Sequence, residues 1–173
     1  MKKYFVMLFT ILALLLLSCE VGGEEPYVQF DEAAYREAKE KWLSLNCKDY
    51  CFSYVISSDA TGPNYPEVVV TVIDGRASYE LVAETEDDKN RFDDNDARFI
   101  SGEYLFGFIW DLYEEAKKTV DAKPDGLVSK TVDVQYDQKL GFPLSISSYG
   151  SWKEDAHVGG GWWSMKINNI EVK

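Results

Sequence analysis

The sequence predicts an α+β fold: an antiparallel sheet of about six strands covered by two helices, in the order helix-βββ-helix-βββ. Three observations carry this expectation: two stretches with apolar residues at helical spacing, short runs rich in β-branched and alternating residues, and the placement of three such runs after each helical stretch. The doubled order suggests a pseudo-repeat whose strands form either one sheet or two smaller sheets side by side, although no residue-level identity links the halves.

The first helix starts at Asp31, a good N-cap, with Phe30 placed to pack on Tyr35 as a hydrophobic staple. Tyr35, Ala38, Trp42 and Leu45 recur on one face, while Arg36, Glu37, Lys39, Glu40 and Lys41 take the other. Cys51 to Ser57 is a β-rich run, and Thr61, Gly62, Pro63 and Asn64 turn the chain into a second, Glu67 to Ile73. Asp74-Gly75 joins this to a third run through Ala77, Tyr79, Leu81 and Ala83. Both central residues of a two-residue hairpin need positive φ, which Asp-Gly tolerates.

Glu84 to Asp96 is acidic and aperiodic and reads as a solvated loop. Tyr104, Leu105, Phe108, Ile109, Leu112, Ala116 and Val120 mark the second helix, which Lys123-Pro124-Asp125-Gly126 ends. From Val128 to Tyr136 the chain alternates, with Val132, Val134 and Tyr136 on one face and Thr131, Asp133 and Gln135 on the other. Asp137 to Gly141 turns, Pro143 opens the run Leu144 to Ser147, and a final strand is expected from Trp162 to Val172.

Ahead of this pattern, Lys2 and Lys3 precede an uncharged run from Tyr4 to Leu17. At a rise of about 1.5 Å per residue that run makes roughly 21 Å of helix, short of the roughly 30 Å hydrocarbon core, so a removable signal is expected rather than a permanent span. It ends Leu16-Leu17-Ser18-Cys19, which resembles the bacterial lipobox, with Leu at the third position before Cys and a small residue immediately before it. Leu17 departs from the Ala or Ser more often found there. The resemblance implies cleavage between Ser18 and Cys19, a diacylglyceryl thioether on Cys19 and an acylated new N-terminus. At about 0.8 kcal/mol per buried methylene, two or three such chains hold a soluble domain on a membrane. The expected organisation is a signal peptide over 1–18, a flexible tether over 19–29 containing Gly22, Gly23 and Pro26, and a single domain over 30–173 on the extracytoplasmic side of a bacterial membrane.

Thirty acidic against eighteen basic residues give a net charge of −12, which becomes −14 once Lys2 and Lys3 are cleaved away. A field of that sign repels phosphate backbones, which argues against nucleic acid as a partner, and it keeps an exported domain soluble. With Cys19 lipidated, Cys47 and Cys51 remain in a compartment where disulfides persist. A local disulfide is expected ahead of two buried thiols; closing so small a loop stabilises by about 2 kcal/mol at most. A zinc site lacks further ligands, since the single His157 stands far along the chain.

Few residue patterns point to chemistry. His157 lies beside Gly159-Gly160-Gly161 in an expected loop, and no Gly-x-Ser-x-Gly elbow is present. Asp87, Asp88, Asp93, Asp94 and Asp96 do not follow the calcium-loop spacing, which wants Gly where Arg98 or Phe99 falls. The triple glycine does not join a strand to a helix, so no nucleotide cofactor is expected. Trp162-Trp163 is the more suggestive feature, because paired aromatics stack on sugar rings or on a partner's apolar patch. Neighbours on a strand point to opposite faces, so one tryptophan is expected in the core and the other outside, and core packing alone also accounts for the pair.

Trp42, Asp49-Tyr50, Phe52-x-Tyr54, Val70-x-Val72-x-Asp74-Gly75, Leu105-Phe106-x-x-Ile109, Val132-x-Val134-x-Tyr136-Asp137 and Gly141-Phe142-Pro143 form a set of landmarks. The set resembles a family of small uncharacterised exported bacterial proteins, many of them lipoproteins, classed only as a domain of unknown function. The resemblance covers roughly Tyr35 to Ser148, and the Tyr-Asp turn followed by Gly-x-Pro is its most specific part. Members often continue with an acidic residue where this chain has Ser147-Ser148-Tyr149-Gly150. No activity or catalytic residue comes with the resemblance.

The expectation is therefore a membrane-anchored envelope lipoprotein whose domain binds a protein or glycan without catalysis, with Trp162 and Trp163 as the candidate surface and no metal or cofactor. The alternative is a carboxylate-dependent envelope hydrolase using Asp133 and Asp137 beside Tyr136, since paired acids perform glycoside chemistry.

Overall fold

The structure, a computed structural model, describes residues 25–58, 66–82, 101–154 and 161–173. The signal segment 1–18, Cys19, the tether as far as residue 24, the acidic stretch 84–96 and His157 lie outside the described residues.

The described residues form β1 (Tyr27–Gln29), α1 (Glu32–Leu45), β2 (Tyr50–Ser58), β3 (Glu67–Ile73), β4 (Arg76–Val82), α2 (Gly102–Asp121), β5 (Leu127–Tyr136), β6 (Pro143–Trp152) and β7 (Trp162–Val172). They make one sheet in the order β1-β5-β6-β7-β2-β3-β4. Each run of three strands after a helix is an antiparallel meander, and the two meanders fuse where β7 pairs with β2. The doubled order thus resolves into a single sheet. Among the described residues it has seven strands rather than six, because Tyr27–Gln29 pairs in parallel with Ser129, Lys130 and Thr131 of β5. Those three residues fall within the segment expected to be tether. A strand this short has no readable period, and its partner lies about a hundred positions downstream.

Local chemistry explains the elements. Asp31 caps α1 by accepting from the Ala34 N–H at 2.9 Å, and the Phe30 and Tyr35 rings lie 5.7 Å apart, as a staple requires. Tyr35, Ala38 and Trp42 are buried, whereas Leu45 is exposed because the helix ends there, with Asn46 in the left-handed region. Ser101 caps α2 by accepting from the Tyr104 N–H at 3.1 Å. The buried stripe of α2 runs through Leu105, Phe106 and Ile109, leaving Tyr104 exposed rather than inward. Asp74 and Gly75 both have positive φ, at 51° and 72°, so the β3–β4 hairpin is of the expected type. No helix among the described residues is long and apolar enough to cross a membrane.

Both helices bury their apolar stripes in one core on one face of the sheet, against Phe52, Tyr54, Val70, Ile146 and Met165. Trp42 is the junction. Its ring meets Tyr50 edge-on at 5.1 Å and Phe142 at 4.7 Å. A Cβ at Gly102, the first residue of α2, would lie 2.5 Å from the indole Nε1, so only glycine lets α2 start there. The Gly102 N–H donates to the Tyr50 Oη at 2.9 Å. Burial pushes the Tyr50 phenol up, and that donated bond pulls in the opposite sense. Gly141 plays the equivalent part on the other side of α1. It has φ +74°, and a Cβ there would lie 2.4 Å from the Ala38 carbonyl oxygen.

Two stability predictions follow from this packing. Gly141→Ala combines left-handed strain with a backbone clash and is expected to cost about 2–4 kcal/mol in urea unfolding. Tyr136 stacks on Phe106 at 6.3 Å, and its buried Oη has no hydrogen-bond partner among the described residues. Burial raises its ionisation well above the ordinary tyrosine range. A raised folded-state value contributes stability that is complete below about pH 10 and lost as pH climbs through it. Tyr136→Phe is therefore expected to gain about 1 kcal/mol at pH 7, and its advantage over wild type is expected to widen in unfolding measured above about pH 10.

Candidate functional site

β7 opens on Trp162-Trp163, and the pleat sends the two indoles to opposite faces, as the sequence implies. Trp163 turns toward the helices, where its ring meets Phe108 of α2 at 5.1 Å. Trp162 is 43% exposed and lies on the open face, in register with Tyr149 of β6. Strand register then builds the surroundings. On the helix side, Ser58 of β2, Trp163 and Ser148 form one cross-strand row. On the open side, Thr131, Tyr149 and Trp162 form the next.

Above the first row, α2 presents Leu112, Glu115 and Ala116, and β5 contributes Lys130. Together with Gly161 and the tryptophans they line a cleft of about 360 Å³ at the end of the sheet. Small residues open the hollow beside Trp163: Ser58 and Ser148 flank it across the strands and Gly161 precedes the tryptophans. Gly150 serves it indirectly. A Cβ there would lie 2.8 Å from the Trp152 Nε1 and 3.5 Å from the Lys130 Cδ, so glycine lets both side chains pack over the strand. The Trp152 indole N–H is buried without a partner among the described residues.

Chemically, the cleft combines aromatic and aliphatic walls with hydroxyls that donate and accept, a carboxylate acceptor at Glu115 and an ammonium donor at Lys130. That combination suits a ligand with apolar faces and polar edges. The sequence singled out Trp162 and Trp163 but not Lys130, Glu115, Ser58 or Ser148. Only strand register and helix placement bring those four to the tryptophans.

Other expected sites fare differently. Asp137 lines a groove of about 480 Å³ between α1 and the β5–β6 turn, together with Tyr136 and Glu37. Its Oδ1 accepts from the Lys139 and Leu140 N–H groups at 2.8 and 2.6 Å, so that oxygen closes the turn. Asp133 stands exposed on the open face opposite Ser147 and does not line that groove. Asp137 therefore shares this groove with Tyr136, and Asp133 does not.

Cys47 and Cys51, the candidate disulfide pair, stand as two separate thiols, both half-buried. Cys47 packs against the core, with its Sγ 3.8 Å from the Leu45 carbonyl oxygen. Cys51 precedes the core residue Phe52, so the pleat turns it to the open face, where its Sγ is 4.0 Å from Glu171 Oε2. Cys19 and Ser18, the expected lipidation and cleavage positions, lie outside the described residues.

Residues 34–148 match the DUF6174 family, a family of unknown function, and the chain belongs to it. No curated protein matches the chain. The matched span contains Trp42, Gly102 and Gly141, the residues at the junction that sets the helices on the sheet. It ends before Trp162 and Trp163.

The two tryptophans are expected to separate on substitution. Trp163→Ala should cost about 2–4 kcal/mol in urea unfolding through lost packing on Phe108. Trp162→Ala should cost under about 1 kcal/mol. Equal large losses would make both residues structural.

Proposed function

We propose that this member of the DUF6174 family is a lipid-anchored, non-catalytic binding module of the bacterial cell envelope, and that it takes its ligand in the cleft at Trp162-Trp163. The observation that carries the binding reading is the cleft itself: an exposed and a half-buried tryptophan beside hydroxyl, carboxylate and ammonium groups in a space of about 360 Å³. The anchor rests on the Leu16-Leu17-Ser18-Cys19 pattern that ends the apolar run. The acidic balance favours a neutral or cationic ligand over a nucleic acid. A hydrolase working through Asp133 and Asp137 draws less support, because one of these carboxylates closes a turn and the other stands apart on the open face.

Two measurements test this reading. Detergent-extracted protein from its native host is expected to have the intact mass of a chain beginning at Cys19 plus acyl groups, and Cys19→Ala is expected to leave the membrane fraction. An unlipidated chain cut elsewhere would remove the anchor. A photo-reactive residue at position 162 is expected to cross-link to an envelope component in cells, whereas one at the exposed Leu43 on α1 is not. Cross-linking at 43 alone would move the binding surface to the helices.

A further inference from the structure

Trp162 belongs to two surfaces at once, since it lines the cleft and also stands on the open face of the sheet. On that face it is directly paired across β6 and β7 with Tyr149, and the two rings are similarly exposed, at 43% and 42%. Adjacent strands lie about 4.8 Å apart, so the pair offers aromatic surface at a spacing of the order of one pyranose ring. The next row along the same face is Asp133, Ser147, Ser164 and Ser57, and the row after it includes Gln135, Ser145 and Lys166. With Val55 of β2 beside Lys166, the described part of this face is an aromatic rung followed by rows dominated by short hydroxyl side chains with amide, carboxylate and ammonium groups.

From this arrangement we infer that the ligand is a neutral glycan chain, which stacks its ring faces on Tyr149 and Trp162 and directs its hydroxyls to the serine rows and the cleft. Stacking serves the apolar C–H faces of a sugar, and the short polar side chains serve its equatorial hydroxyls, each of which both donates and accepts. A protein partner of comparable affinity would need a packed, desolvated centre in which large anchors fill pockets, and the small flat residues of this face do not supply one. The net charge of −12 over the full chain disfavours polyanionic glycans. The inference deepens the binding reading and rests on the cleft being the binding site.

The test uses detergent-solubilised full-length lipoprotein and a panel of neutral hexasaccharides, namely cello-, chito-, malto- and xylohexaose, followed by tryptophan fluorescence and calorimetry. At least one is expected to bind saturably, with affinity rising from disaccharide to hexasaccharide. Tyr149→Ala and Trp162→Ala are each expected to weaken it at least tenfold, Trp162→Phe to retain most of it, and Leu43→Ala to leave it unchanged. Circular dichroism on each variant separates lost binding from lost fold. If no hexasaccharide binds while position 162 still cross-links to an envelope protein in cells, the glycan inference is overturned and the cleft stands. If a hexasaccharide binds equally well to both alanine variants, the stacking track is overturned. If neither sugar nor cross-link engages position 162, both readings fall together.

Discussion

The rest of the structure depends on the contact that Trp42 makes at the junction of four segments. The indole comes from α1, meets Tyr50 at the start of β2 and Phe142 at the entry to β6, and leaves so little room beside it that α2 begins on Gly102. One large rigid side chain thereby fixes both helices relative to both meanders. Gly141 completes the constraint by allowing the β5–β6 turn to lie against the Ala38 carbonyl of the same helix. Aromatic pairs of this kind contribute beyond their buried area because edge-to-face geometry is directional, and direction is what a junction needs. The family match spans these positions, which gives a packing reason for landmarks that carry no chemistry.

Holding both helices on one face has a functional consequence. The opposite face of the sheet is left with Ser147, Ser164, Asp133, Gln135, Lys166 and the aromatic pair Tyr149 and Trp162. At the end where β7 begins, α2 overhangs the sheet and the cleft forms beneath Leu112 and Ala116. The cleft and the open face meet at one residue, Trp162. Seating the proposed recognition surface on strands rather than on a loop gives it a rigid backbone, which lowers the ordering cost that binding would carry.

Much of the architecture was legible in sequence because it rests on local rules. Asp31 with Phe30 and Tyr35, the positive-φ Asp74-Gly75 turn, and the limits of the last strand at Trp162 and Val172 all stand as the pattern implies. Where the reading missed, the cause was non-local. Tyr27–Gln29 became a strand only because β5 offers it a parallel edge. Tyr104 and Phe106 exchanged expected environments because the helix rotates to seat Phe106 over Tyr136. The tryptophan pair was visible as a motif, yet Lys130, Glu115, Ser58 and Ser148 were invisible as its companions.

By itself the sequence determined the α+β class, the two meanders with their capping and turn chemistry, and the alternation that sends Trp162 and Trp163 to different faces. These follow from periodicity, propensity and short motifs, all of which act over a few residues. The tertiary structure decided that the meanders fuse through β7 and β2 and that a seventh strand joins at the edge. It also decided which hydroxyls and charges gather round the tryptophans. Those outcomes depend on pairing between segments separated by tens to about a hundred residues, which patterns acting over a few residues do not specify.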